Sequence, residues 1–355
     1  MKPLQWPWQR VRNPNRLVVA CTEDTFAYVE ASIDLRRPYV IKRCGLERRG
    51  EDTAPAFARR IKALKLPIKD VIAVLPLDRT QILQIETPTV PPEEIKAAAR
   101  WRIKDMVEAH LDDLTIDVMR LGDGRPRTVQ HLYVIAAVNS AINETNALLT
   151  AAGMELAVID ICETAQRNLQ NALADAQGLR ERATAALMVH ESQCLLTISA
   201  NDEMFYTRRL EWDETVFGHT ADEAARQTGS AAPVYGPGVL SQQTLESVDI
   251  VDYSVEVPEF GTAHDTPRLV IELQRSFDVW ERSWPDLPLS HLTVHAGAGS
   301  ASLSSIIKRD LGLPVEPMDI STLFSGLDGA SVTAEVLEAC VPLLGALLRH
   351  EVRKL

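Results

Sequence analysis

Cysteine is sparse in this chain of 355 residues: Cys21, Cys44, Cys162, Cys194 and Cys340 are odd in number, far apart and set among apolar neighbours. No Cys-x-x-Cys pair occurs. That argues against a disulfide-stapled scaffold and the common cysteine metal sites, and leaves reduced core thiols as the expectation. The eight histidines are equally scattered, and no metal centre is read from them. Positive charge is in deficit: Lys and Arg number 37 against 49 Asp and Glu, a net charge of −12. Binding phosphate backbones needs concentrated basic side chains, so nucleic acid is not expected as the main partner. Long apolar runs are missing as well. The run Tyr133–Val138 falls far short of the ~20 residues of a membrane span. The stretch Val336–Leu348 is broken by Glu338 and Pro342 and reads as a closing helix. No Gly-x-x-x-x-Gly-Lys-Ser phosphate loop occurs.

What is present has the composition of an ordinary globular protein, 46% hydrophobic and 24% charged, in a chain long enough for two domains with a core each. The most organised stretch runs from Ile82 to Val138. An alternating strand (Ile82–Thr87) ends at Pro88. Pro91-Pro92-Glu93-Glu94-Ile95 then places prolines and acids where a helix begins, since missing donors cost nothing there and negative charge meets the positive dipole end. Apolar residues from Ile95 through Ala98, Ala99, Ile103, Met106 and Val107 to Leu111 recur three and four apart, predicting about five turns of helix. Strands at Leu114–Met119 and His131–Val138 follow, separated by a turn at Gly122-Asp123-Gly124. A helix then runs from Asn139 to Gly153. This is a β-α-β-β-α module, assigned to residues 79–153.

Residues 1–15 form a basic tail, with Lys2, Arg10 and Arg12 around Trp6 and Trp8. It suits either an anionic membrane surface or a tail whose indoles pack on the protein itself. From Arg16 three strands follow in quick succession (Leu17–Ala20, Thr25–Ile33, Tyr39–Cys44), then a helix (Pro55–Leu66) and a buried strand (Val71–Leu75). Beyond the module come a strand (Leu156–Asp160) and a helix from Cys162, with a boundary near 178. The second half echoes the first: Ala185–His190, Cys194–Ser199 and Met204–Arg208 are again three strands. Helix 213–227, a turn-rich segment, an exposed strand within 248–257 and helix 267–282 follow. Strand Leu292–His295, turn Ala296-Gly297-Ala298-Gly299, helix Ala301–Leu311, strand Pro314–Pro317 and a closing helix at 334–348 complete the pattern.

Two α/β halves, each opening with a three-stranded meander, with the module inserted in the first, resemble the actin-like ATPase superfamily, a ribonuclease H-like fold. The position of the insert is similar to the FtsA/PilM branch. Pro91-Pro92-Glu93-Glu94-Ile95 with Ile116-Asp117, Ala152-Gly153-Met154 with Val158-Ile159-Asp160, Leu273-Gln274-Arg275-Ser276 and the segment Gly297–Pro314 bring the resemblance to the type IV pilus assembly proteins PilM and MshI, the latter of MSHA pili. The resemblance implies an α/β two-lobed actin-like fold, with a first lobe at 16–178 carrying the insert and a second at 179–355. The helix at 334–348 would return to the first lobe. It further implies a cytosolic scaffold at the inner membrane that docks the tail of a PilN-like single-span protein and couples to a pilus motor ATPase. The docking groove would be walled by parts of 71–88 and the helix 92–111. Trp101 and His110 on that helix read as ordinary surface or core residues.

The departures from that pattern bear on chemistry. Members of the superfamily hold nucleotide phosphates with two Asp-x-Gly hairpins, in which glycine admits close backbone approach and aspartate serves the magnesium. Here the first hairpin carries Ala20-Cys21-Thr22 and the second Val189-His190-Glu191. Only Gly297-Ala298-Gly299 keeps the glycine pattern of the adenosine-side turn, and it is also a plain strand-to-helix turn. If ATP binds, Gly297 and Gly299 are the cofactor residues. The acidic pairs Glu93-Glu94, Asp112-Asp113 and Asp222-Glu223 read as helix-end or solvated carboxylates rather than catalytic ones. A scaffold without enzymatic activity, cofactor or metal is therefore expected. The alternatives are an ATP-binding switch of the same machinery or a type II secretion counterpart; a sugar or acid kinase would need a base and phosphate hairpins that are missing.

Overall fold

A five-residue run of wholly apolar residues, Val71–Leu75 (β4), is buried on both faces, as the central strand of a covered parallel arrangement must be. Around it the computed structural model, which describes residues 15–33, 37–122, 130–190, 193–212, 267–327 and 332–350, assembles a six-stranded sheet. Strands β1 (Asn15–Cys21), β2 (Thr25–Ser32) and β3 (Tyr39–Arg48) form an antiparallel meander. β4 lies parallel to β1, and β8 (Leu156–Ile161) lies parallel to β4. A two-residue strand that the sequence did not suggest, β14 (Phe324–Ser325), adds to the start of β3, giving the order β14-β3-β2-β1-β4-β8. Helix α1 (Ala54–Ala63) covers one face with Phe57 and Ile61. The tail with Trp6 and Trp8, Glu191, helix 213–227 and the strand within 248–257 lie outside the described residues.

A second sheet has the order β11-β10-β9-β12-β13, from β9 (Ala183–His190), β10 (Gln193–Ala200), β11 (Glu203–Glu211), β12 (Leu289–His295) and β13 (Val315–Pro317). The β10–β11 turn places Asn201 and Asp202 at positive φ, 52° and 67°, the left-handed pair that a tight hairpin demands and that Asn and Asp tolerate. The third sheet is separate. It contains β5 (Thr80–Glu86), β6 (Leu114–Arg120) and β7 (His131–Val138) in the antiparallel order β5-β7-β6.

Two expectations for the insert need correction. Helix α2 spans only Ile95–Arg102, not five turns. Beyond it the chain folds in turns closed by Lys104 N–H to Trp101 and Met106 N–H to Ile103. The apolar spacing is still used, because Ile103 and Leu111 are buried with Ala99. Arg100, however, reaches past the helix end to the carbonyls of Leu111 and Leu114, satisfying the loop's backbone without further helix. Helix α3 (Asn139–Ala151), counted with the insert, packs on the first sheet: Leu149 joins the core around α1, and Ala141 packs with Leu75 and Ala137.

One core cluster spans both large sheets. Residues of β1 to β4 meet Ala186, Met188 and Leu195 of the second sheet through two helices, α4 (Cys162–Ala176) and α7 (Ala334–Leu347). α4 carries buried glutamines where a core helix would carry leucine. Gln166 Nε2 donates to the Ala186 and Leu195 carbonyls, each at 2.9 Å, and Thr197 Oγ1 donates to Gln170 Oε1 at 2.6 Å. α7 lies on β1, β2 and β3 and crosses α4 at Gly345, where an added Cβ would collide with the Ala165 carbonyl oxygen. Helices α5 (Arg268–Ser283) and α6 (Ser300–Leu311) complete the second lobe. Among the described residues no helix is long and apolar enough to cross a membrane. All five cysteines are free thiols; Cys44 is half-buried and the other four are buried.

Candidate functional site

β1, β4 and β8 are mutually parallel, as are β9 and β12, so the carboxyl ends that usually bear ligands in such sheets can be taken in turn. At the end of β1, Ala20 faces the shared core, while Cys21 is buried towards α1, where desolvation pushes its thiol up to about 12. Thr22 then closes the hairpin on itself. Its Oγ1 accepts from the amides of Asp24 at 3.3 Å and Thr25 at 3.0 Å, and its own N–H donates to the Thr25 carbonyl at 3.0 Å. The amides of Thr22, Asp24 and Thr25 are thus engaged within the turn.

At the ends of β9 and β12, His190 and His295 each keep a buried Nε2 without a hydrogen-bond partner. Burial, with His295 and Arg209 nearby, pushes His190 down to about 4, and burial also lowers His295 and His291. These imidazoles are neutral at pH 7. His291 and His295 are four residues apart, a spacing that pairs ligands on a helix; on a strand it separates them by ~13 Å. Among the described residues no group of three His, Cys, Asp or Glu could hold a metal ion.

The glycine turn after β12 is internally bonded. Gly299 N–H donates to the Ala296 carbonyl at 2.9 Å, and Ser300 Oγ accepts from Ala296 N–H at 2.8 Å. Gly297 has φ 52°, and a Cβ there would run into the Glu338 carboxylate of α7. Glycine is thus favoured by the turn's positive φ and by the nearness of Glu338.

Two buried carboxylates mark the start of α4. Asp160 accepts from Ile161 N–H at 2.9 Å and from the Thr164 hydroxyl, and lies 3.0 Å from Arg349 Nη1. Glu163, fully buried, accepts from Arg209 of β11 through Nε at 2.9 Å and Nη2 at 2.6 Å. Sequence reading passed over Arg209 and Glu163. Their partners are remote in the chain, and an arginine beside Arg208 in a strand carries no local signal.

The insert offers a different kind of site. One face of its sheet, with Leu83, Ile116, Leu132 and Val134, is covered by α2. On the other face Ala137 packs against the first lobe at Leu75, and the Tyr133 hydroxyl donates to the Phe205 carbonyl of the second lobe at 3.2 Å. Between those anchors Ile135 lies opposite Ile82 on β5 and Asp117 on β6; both isoleucines are only half-buried. The seam between insert and first lobe therefore lies along β5, β7 and α3, whereas α2, expected to wall it as part of a helix over 92–111, lies on the opposite face. A separate cleft of about 360 Å³ is lined by Arg37, Arg167, Asn171, Asp175, Arg180 and His350, and it pairs Arg37 with Asp175 at 2.8 Å.

No protein-family model matches the sequence, and no curated protein matches it. Solved structures do. A chain of the PilM–PilN type IV pilus biogenesis complex aligns over 94% of this chain and 97% of its own, with TM-score 0.64 and 17% identity. The cytoplasmic domain of EpsL, an inner-membrane component of the type II secretion system of Vibrio cholerae, covers 57% of this chain and 74% of its own at TM-score 0.40 and 12% identity. A protein of actin-like ATPase fold and unknown function from Bacteroides thetaiotaomicron covers 87% and 94% at TM-score 0.45 and 9% identity. The chain has the two-lobed α/β actin-like fold.

Proposed function

We propose that this chain is a non-enzymatic scaffold of a type IV pilus assembly platform, of the MSHA-like kind, placed in the cytoplasm at the inner membrane. It docks the short cytoplasmic tail of a PilN-like single-span protein and relays that attachment to the pilus motor ATPase. The observation that carries the reading is the half-buried Ile82–Ile135 row, held between an anchor to the first lobe and an anchor to the second. An extended peptide seated there would bury apolar side chains in alternate positions, the mode by which strand-like tails bind grooves beside sheets. Support comes from the likeness in fold, over nearly the whole length of both chains, to a chain of the PilM–PilN complex. The engaged amides at Thr22, the missing oxygen at Ala20 and Glu338 beside Gly297 support a platform that works without nucleotide.

The test is fluorescence anisotropy with a labelled peptide copying the cytosolic tail of the cognate single-span protein. Ile135→Arg, which sets a charge in the seam and spares the α2 face, is expected to weaken binding at least tenfold while the melting profile is retained. Undiminished affinity in that variant, or in Ile82→Arg, would place the tail elsewhere.

A further inference from the structure

We infer that Arg209 is a cross-lobe latch: it fastens the second lobe to the root of the insert, so that insert and second lobe move as one body. Arg209 belongs to β11, yet its guanidinium bonds run out of that lobe. Nη1 donates to the Leu77 carbonyl at 2.6 Å and to the Thr80 carbonyl at 2.7 Å, and Nη2 to Thr80 Oγ1 at 3.1 Å. Nε and Nη2 also hold Glu163 on the first turn of α4. Leu77 to Thr80 is the short turn by which the chain leaves β4 and enters the insert. One guanidinium therefore ties together a second-lobe strand, the helix between the lobes and the entry to the insert.

Two more bonds join the same strand to the insert. Gly122 N–H donates to the Met204 carbonyl at 2.9 Å, and Tyr133 bonds Phe205 as described. Gly122 is fixed by this contact: its φ is 71°, and a Cβ would press on Phe205 and Trp284. Arg209 is the central element because it alone is charged. The fork holds one oxygen of a fully buried carboxylate and two carbonyls, and removing one partner of a buried pair strands the other. Tyr133 and Gly122 contribute neutral bonds, which are weaker in proportion.

This inference deepens the scaffold reading and rests on it only for the last measurement. Hydrogen–deuterium exchange of the full-length free chain comes first. Arg209→Met is expected to speed exchange at least tenfold in peptides covering 77–81 and 203–211, with Arg209→Lys intermediate and β12 unchanged. Unaltered exchange at 77–81 overturns the latch. If Arg209→Met does not fold, Arg209→Lys and Glu163→Gln decide the matter, each expected to loosen 77–81 selectively; uniform loosening across both lobes overturns it. The tail peptide is then added. In the wild-type chain it should slow exchange at 203–211, and in Arg209→Lys that remote effect should vanish while the peptide still binds. A remote effect that persists in Arg209→Lys counts against the latch. Failure of the peptide to bind the wild-type chain would remove the docking proposal and leave the latch to stand on the first measurement.

Discussion

His190 ends β9 with an imidazole from which burial, His295 and Arg209 all withhold a proton, leaving it near 4 in the folded chain against an ordinary 6.5. The sign follows directly. Below pH 6.5 the unfolded chain takes up a proton that the folded chain refuses until about 4, so the neutral form's stabilisation is complete above 6.5 and is lost as pH falls through that window. At pH 4.5 the loss is about 2–3 kcal/mol, since each unit of displacement corresponds to ~1.4 kcal/mol. Urea midpoints at pH 7.5 and 4.5 should therefore fall further apart in the wild-type chain than in His190→Gln, in which nothing titrates at that position. Equal acid losses in the two proteins would mean that His190 is solvated. Arg209 reaches across the lobes from the same region; the sequence marked His190 only as part of a hairpin and did not mark Arg209. A histidine at a strand end and an arginine in a strand look like surface residues until the lobe that buries them is in place.

Helix pairs expose what local pattern can and cannot tell. The strand runs Val71–Leu75 and His131–Val138 were read from the sequence with their final bounds, because a buried strand writes its environment into consecutive residues. The helix continuing to Leu111 was read too long, because apolar spacing cannot distinguish a rod from a folded loop that buries the same side chains. Gly345 carries no local signal of its role, since its constraint is the Ala165 carbonyl of another helix. Gly345→Ala tests the crossing. Helix propensity alone would favour alanine by about 1 kcal/mol. Overpacking a tight contact costs ~1–3 kcal/mol, towards the upper end or beyond where the obstacle is backbone that cannot rotate away. The clash should win, with a net loss of at least about 1 kcal/mol in chemical denaturation. A neutral or stabilising result would show that α4 and α7 are further apart than Gly345 implies.

At the scale of the whole molecule, the two meanders, the insert and the return of the last helix are patterns of order, and order survives when individual side chains diverge. The chemistry at the strand ends does not. It turns on single positions: the substitutions at Ala20, without an oxygen, and at Thr22, its hydroxyl on two amides, and, unmarked in the sequence, Glu338 against Gly297. These set the expectation for nucleotide. A triphosphate binding at these strand ends would meet Thr22 bonded within its own turn, a position 20 with no ligand for a magnesium ion, and the Glu338 carboxylate. A charge-assisted contact contributes ~1.5–3 kcal/mol, so three such deficits correspond to at least about a thousandfold in affinity. Isothermal titration of the full chain with magnesium-ATP up to 1 mM is expected to show no saturable heat, and no rise in melting temperature should accompany it. A low-micromolar dissociation constant abolished by Gly297→Val would reverse the conclusion. It would make the glycine turn an adenosine site from which Glu338 withdraws, and turn the proposed scaffold into an ATP-dependent switch.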